Sequence, residues 1–181
     1  MKKIASLLMM ATVALMCVSL TSCDEDYDIA YTLEGTWKGN MYVTSQDNGV
    51  TYSATYSELY FAQDPYTYSS GDGVWIDYYS QAPWDYVANH TRWSVNNGVI
   101  TIYLIEEGYT VQIMNYRLND GYFSGTIYDH GSYIDFSLRH TSSPNWNNYN
   151  WGYGWYAKQG VMDEETRAGQ AKQMPVRSFK K

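Results

Sequence analysis

From Thr91 to Leu138 apolar and polar residues alternate with period two, in segments divided by turns that each end in glycine. Alternation at that period puts one face of a strand on a core and the other in water. Asn97-Gly98 is the strongest short hairpin signal, because a two-residue type I′ turn needs positive φ at both central positions. It predicts Val95 opposite Ile100, Trp93 opposite Ile102 and Thr91 opposite Leu104 on the inner face, with Arg92 opposite Tyr103 outside. Asp120-Gly121 likewise predicts Leu118/Phe123, Tyr116/Gly125 and Met114/Ile127 inside, and Arg117/Ser124 and Asn115/Thr126 outside. His130-Gly131 predicts Ile127/Ile134, Gly125/Phe136 and Phe123/Leu138 inside, against Tyr128/Tyr133, Thr126/Asp135 and Ser124/Ser137 outside. A three-residue loop, Glu106-Glu107-Gly108 with Gly108 left-handed, keeps Ile100, Ile102 and Leu104 on the same side as Met114. A one-residue slip would reverse every side chain, so agreement across the turns argues for an antiparallel meander.

Upstream, Trp37, Gly39, Met41 and Val43 alternate with Thr36, Lys38, Asn40, Tyr42 and Thr44. Turn signals at Asp47-Asn48-Gly49, Asp64-Pro65, Gly71-Asp72-Gly73 and Pro83 divide the chain between this strand and the meander. The strands predicted, near 36–44, 55–62, 74–79, 86–95, 99–105, 109–118, 122–129 and 132–139, number about eight. Closing them into an all-β, up-and-down barrel removes the exposed edges of an open meander, and eight strands enclose either a filled core or one small ligand.

The N-terminus changes the picture. Lys2 and Lys3, the apolar run Ile4 to Leu20 and small residues after it read as a secretory signal over residues 1–22. Leu20-Thr-Ser-Cys23 resembles the lipobox of bacterial lipoproteins, which implies lipidation of Cys23 and a membrane anchor. Cys17 lies in the signal, so the mature chain has one cysteine and no internal disulfide. The acidic run Asp24-Glu-Asp-Tyr-Asp28 is either a solvated tether, spanning 23–31, or resembles the surface-export signal of Bacteroidetes-type lipoproteins. That resemblance implies a cell-envelope location, at the outer membrane and exposed on the surface. Loss of Lys2 and Lys3 takes the formal charge from −7 to −9. An acidic body argues against a nucleic-acid partner, which needs clustered Lys and Arg. The chain is expected to be a monomer.

Gly35-Thr-Trp37 at the first strand, the meander and Arg139 after the last strand resemble the lipocalin or calycin superfamily. That resemblance implies a barrel over 32–143, with Trp37 packed at its closed end and Arg139 covering it.

Candidate chemistry is sparse. His90, His130 and His140 are too scattered for a metal motif, no nucleophile motif is present, and Glu106-Glu107 at a hairpin tip reads as exposed and solvated. No enzyme and no cofactor is expected. Inside the predicted barrel Trp93, Met114, Tyr116, Phe123 and Phe136 surround Gly125, whose missing side chain leaves a gap that is either filled by Phe136 or open to a small apolar or amphipathic ligand. Thr91 and Gln112 are the polar groups that would orient that ligand. The 20 Tyr and 7 Trp support a second reading, a filled barrel with an aromatic outer surface for glycan or protein. Trp146, Trp151 and Trp155, in an Asn/Gly/aromatic flap over 144–159, are its candidates. Residues 160–181 read as a short helix, Met162 to Lys172, and a disordered basic tail.

Overall fold

The computed structural model describes residues 25–152 and 175–181. Eight antiparallel strands close into a barrel: β1 (Gly35–Asn40), β4 (Tyr56–Gln63), β5 (Ser70–Tyr78), β6 (Tyr86–Asn96), β7 (Val99–Leu104), β8 (Tyr109–Asn119), β9 (Tyr122–Asp129) and β10 (Ser132–Thr141). Closure is made by β1, which pairs with β10 on one side and β4 on the other. The sheet therefore has no open edge. A second sheet, in the order β11 (Val176–Phe179), β2 (Val43–Asp47), β3 (Val50–Ser53), lies outside the closed ring.

The expected strand over 36–44 is in fact β1 and β2, divided at Met41-Tyr42. Asn40 causes the break: its side-chain carbonyl accepts the Tyr42 N–H at 2.7 Å, and Tyr42 turns to φ 54°. An Asn side chain bonding the backbone two residues on imitates a turn, which competes with continued pairing.

The Asn97-Gly98 and His130-Gly131 hairpins have the predicted registers, pair for pair. β8 does not. Leu104 faces Tyr109 across a four-residue turn, with Gly108 at φ 64°, so Ile102 meets Val111 and Ile100 meets Ile113. Val111 and Ile113 are fully buried, while Gln112 is exposed and Met114 half-exposed on the outer face. A bulge between Met114 and Arg117, with Asn115 at φ 50°, shifts the strand by one more residue, so that Arg117/Ser124 and Leu118/Phe123 pair as predicted. Two one-residue offsets cancel, and only the first half of β8, from Tyr109 to Met114, is reversed.

Both ends of the barrel are covered. Residues 25–33 form helix α1 across the end where β1 begins. Asp26, Ala30 and Leu33, one helical stripe, are buried against the barrel. The Asp26 carboxylate accepts the N–H groups of Asn97 and Gly98 at 2.9 and 2.8 Å, clamping the type I′ turn. From residue 25 onward the expected tether is thus docked structure, because its acid satisfies two turn amides. At the opposite end the β11-β2-β3 sheet lies beside the mouth, and Phe179 packs on Trp75. Residues 176–179 were expected to be disordered; they form a strand because β2 offers an edge on which Val176 pairs with Gln46 and Phe179 with Val43. The expected helix over Met162 to Lys172 lies outside the described residues.

Candidate functional site

Thr91, Trp93, Phe123 and Phe136 all face inward and are buried. They pack on one another and on the wall. Phe123 meets Phe136 edge-on at 5.0 Å and Trp37 at 5.7 Å, and Trp93 meets Phe61 at 5.6 Å while donating its Nε1–H to the Asp72 carbonyl. Tyr116, at the β8 bulge, packs its ring on Phe123. The bulge also fills the gap at Gly125, where a Cβ would lie 2.8 Å from Tyr116 Cβ and 3.1 Å from its Cα. Gln112 and Met114 are the exceptions to the expected interior set, turned outward by the four-residue loop. Of the expected ligand-binding residues, Trp93, Phe123 and Phe136 belong to the hydrophobic core and Tyr116 packs against it.

The mouth opposite α1 holds an ionic network. Arg177 enters from β11, and its side chain is 2 % exposed. Its Nη2 lies 2.6 Å from Asp77 Oδ2 and 2.8 Å from Glu107 Oε1, and its Nε donates to Glu107 Oε2 at 2.8 Å. Asn89 donates to Glu107 Oε1 at 2.7 Å, Ser57 and Trp75 donate to Asp77 Oδ1 at 2.6 and 2.8 Å, and the guanidinium lies 5.4 Å from the Trp75 ring. Glu107, expected to be solvated at a hairpin tip, is instead a buried partner because the longer turn aims it inward. Burial pushes the Asp77 carboxyl above its ordinary value of 3.8 despite Arg177. Burial acts the same way on Glu107, but the charge and hydrogen bonds of Arg177, with the Asn89 bond, outweigh it and hold the group below 4.5.

The signs are opposite. Glu107, depressed in the fold, contributes stability above about pH 4.5 that is lost as pH falls further. Asp77, raised in the fold, favours folding below its ordinary value of 3.8, and that contribution is lost as pH rises through its folded pKa. Glu107→Gln is therefore expected to destabilise most near pH 7 and progressively less toward pH 3, measured by urea unfolding at each pH. A difference constant across that range would contradict the assignment.

A third arrangement lies on the outer wall of β4, β5 and β6. Residues 144–152 fold back over it, through a short 3-10 turn at Trp146–Asn148. Gly152 pairs with Ala88, its N–H donating to the Ala88 carbonyl at 2.6 Å, and a φ of +61° with Glu106 Cβ 3.1 Å from any added Cβ explains a glycine there. Tyr149 Oη lies 2.6 Å from Tyr78 Oη, which in turn donates to Glu58 Oε2 at 2.9 Å. Burial holds the Tyr78 phenol protonated, far above its usual range. Between flap and wall runs an open cleft of about 470 Å³, lined by Tyr60, Trp146, Tyr149, Trp151 and His90, with Asp72 and Asn147 as polar groups. The His90 ring lies 3.8 Å from that of Trp151, and Glu106 fixes it from behind, with Oε1 2.5 Å from Nδ1 and Oε2 accepting the backbone N–H at 2.7 Å. Trp146 and Trp151 are brought together here; Trp155 lies outside the described residues. The sequence reading missed His90, Tyr60 and Asp72, whose outward parity on neighbouring strands was the available signal.

An eight-stranded, closed, up-and-down barrel with one end capped by a helix is the architecture of a small ligand-binding β-barrel. Residues 33–125, just over half of the 181-residue chain, match the family model of the lipocalin-like domain, and the chain belongs to that family. No curated protein and no solved structure matches it. The three motif residues take different places in the barrel. Trp37 is fully buried at the α1 end, its Nε1–H donating to the Leu33 carbonyl at 2.7 Å. Gly35 sits at φ +117° with His140 Nε2 2.4 Å from where a Cβ would be. Arg139 does not cover Trp37, as the resemblance implied it would. Arg139 is exposed and paired across from Lys38 and Tyr122, and the ring covering Trp37 is that of His140, edge-on at 5.1 Å. Alternation decides this: residue 139 points out and cannot reach the tryptophan.

Proposed function

We propose that this chain is a membrane-anchored, non-enzymatic binding protein of the cell envelope, lipidated at Cys23, which takes a glycan on the outer aromatic cleft and uses the filled barrel as a rigid scaffold. The observation that carries the reading is the cleft itself. Tyr60, Trp146, Trp151 and His90 offer ring faces, and Asp72 and Asn147 offer hydrogen-bonding groups at the same opening. Apolar faces that stack beside a few fixed polar groups suit a sugar ring, which is apolar on one face and hydroxylated at its edge. The interior, by contrast, is occupied by the protein's own side chains, and a ligand there would have to displace Phe136, Trp93 or the Arg177 plug.

Titration of the domain from residue 24 onward against a glycan panel, followed by tryptophan fluorescence, tests the reading. Trp151→Ala and Trp146→Ala are each expected to weaken binding about tenfold, close to 1.4 kcal/mol, with the β-sheet circular dichroism unchanged. Absence of any glycan binding, together with a co-purifying apolar molecule that is lost in Trp93→Ala, would move the ligand into the barrel and overturn it.

A further inference from the structure

Exposed aromatic residues are not spread evenly over this protein. Among the described residues six aromatic side chains are exposed, and four of them, Tyr27, Tyr31, Tyr66 and Tyr68, lie at the α1 end. Tyr27 and Tyr31 are one helical turn apart on an exposed flank of α1, about a third of a turn round from the buried stripe of Asp26, Ala30 and Leu33, with ring centroids 6.3 Å apart. Tyr68, on the β4–β5 hairpin, meets Tyr27 edge-on at 5.9 Å, and Tyr66 is the most exposed of the four, at 88 %.

The hairpin displays its tyrosines through an ordered turn. Asp64 accepts the Tyr66 N–H on Oδ1 at 2.8 Å and the Tyr68 N–H on its backbone carbonyl at 3.0 Å, while Gln63 Nε2 donates to the Tyr68 carbonyl. Tyr68 itself is left-handed, φ 64°. A bulky aromatic residue is disfavoured there, where Asn or Gly would be free of strain, so the turn does not select tyrosine for its own sake.

We propose that this end of the barrel is a bilayer-seating surface, with Tyr27, Tyr31, Tyr66 and Tyr68 lodged among the headgroups of a zwitterionic phospholipid membrane. The inference rests on the reading that Cys23 carries the lipid. Glu25 is the second residue after Cys23, so a lipidated sulfur holds the start of α1 within roughly 7 Å of chain length of its anchor point. α1 is docked to the barrel by Asp26, which fixes which end meets the membrane. Tyrosine belongs at this depth because its ring is apolar and its hydroxyl stays wet. Glu25, Asp28 and Glu34, all exposed at the same end, repel anionic lipid and can meet the ammonium or choline of a zwitterionic headgroup.

The experiment couples the mature chain, residues 23–181, through its single thiol to a maleimide lipid in phosphatidylcholine vesicles and compares amide exchange of anchored and free protein. Residues 64–69 are expected to exchange several-fold more slowly on the vesicle, with the β9–β10 turn at Asp129–Ser132 unchanged. The variant Tyr66→Ser/Tyr68→Asn should lose that protection without a lower melting temperature, since both side chains are exposed and Asn suits the left-handed backbone at 68. Replacing a third of the phosphatidylcholine by phosphatidylserine should reduce the protection. Equal protection at both ends, none at 64–69, or a variant indistinguishable from the parent overturns the proposal, and stronger protection on the anionic vesicles overturns its lipid preference. Because the coupling is chemical, none of these results depends on lipidation in the cell, which the mass of Cys23 in protein from the producing organism tests separately.

Discussion

Arg177→Ala is expected to lower the unfolding free energy by about 3–5 kcal/mol, the usual cost of leaving buried charge without its partner. The substitution removes the only cation in contact with Asp77 and Glu107 among the described residues, and both carboxylates stay in the mouth of the barrel. It also uncovers one face of the Trp75 indole. The carboxyls would answer by taking up protons, so the loss should be largest at neutral pH and shrink on acidification. Urea unfolding at pH 7 and pH 4 measures both. A chain ending at residue 174 should show a similar loss, since it lacks Arg177 and Phe179 together. Replacing the whole network by apolar residues of similar volume is expected to recover much of the stability, because a buried ion pair is costly to break without being strongly stabilising. A loss below 1 kcal/mol for Arg177→Ala would mean that water reaches the network and screens it.

That network shows why the fold was legible in the sequence only so far. Asn97-Gly98 and His130-Gly131 specify registers through local turn chemistry, so every pair they imply is found. Arg177 meets Asp77 and Glu107 across 100 and 70 residues of chain, and a four-residue strand carries too little periodicity to announce itself. Its tail therefore read as disordered. β8 failed for a different reason. A single unbroken register keeps Met114 and Tyr116 on the inner face and so turns Val111 and Ile113 out, whereas the bulge at Asn115 lets Val111 and Ile113 face inward as well as Leu118. Trp146 and Trp151 could be recognised as an aromatic tract, but the wall they fold onto depends on the Ala88–Gly152 bridge, which no local pattern signals. For the family motif, Gly35 and Trp37 were legible from type and spacing. His140 was not, because nothing in the sequence says which neighbour of a buried tryptophan fills the place of the family's arginine.

Trp37→Ala is expected to cost about 3–5 kcal/mol, in the range for emptying a large aromatic site, and to loosen α1 before the barrel unfolds. The indole is fully buried between Phe123 and His140, so truncation leaves a cavity that two rings and a glycine cannot close. Its Nε1–H has a second duty, donating to the carbonyl of Leu33, the last helical residue of α1. The final carbonyls of a helix have no intrahelical donor and need one from elsewhere. Trp37→Phe separates the two effects: it keeps most of the ring but not the donor, and should cost about 1–2 kcal/mol from the unmatched buried carbonyl. Amide exchange resolves the consequence. Both variants should speed exchange in residues 25–33 and at Asn97 and Gly98, whose amides Asp26 holds, while β9 and β10 change less in Trp37→Phe than in Trp37→Ala. If exchange in α1 stays at the wild-type rate in Trp37→Phe, the helix is held by Asp26, Ala30 and Leu33 alone and the tryptophan serves the barrel core. If it quickens, one indole couples α1 to the barrel it covers, and Gly35-x-Trp37 is a hinge between the capping helix and the barrel as well as a packing motif.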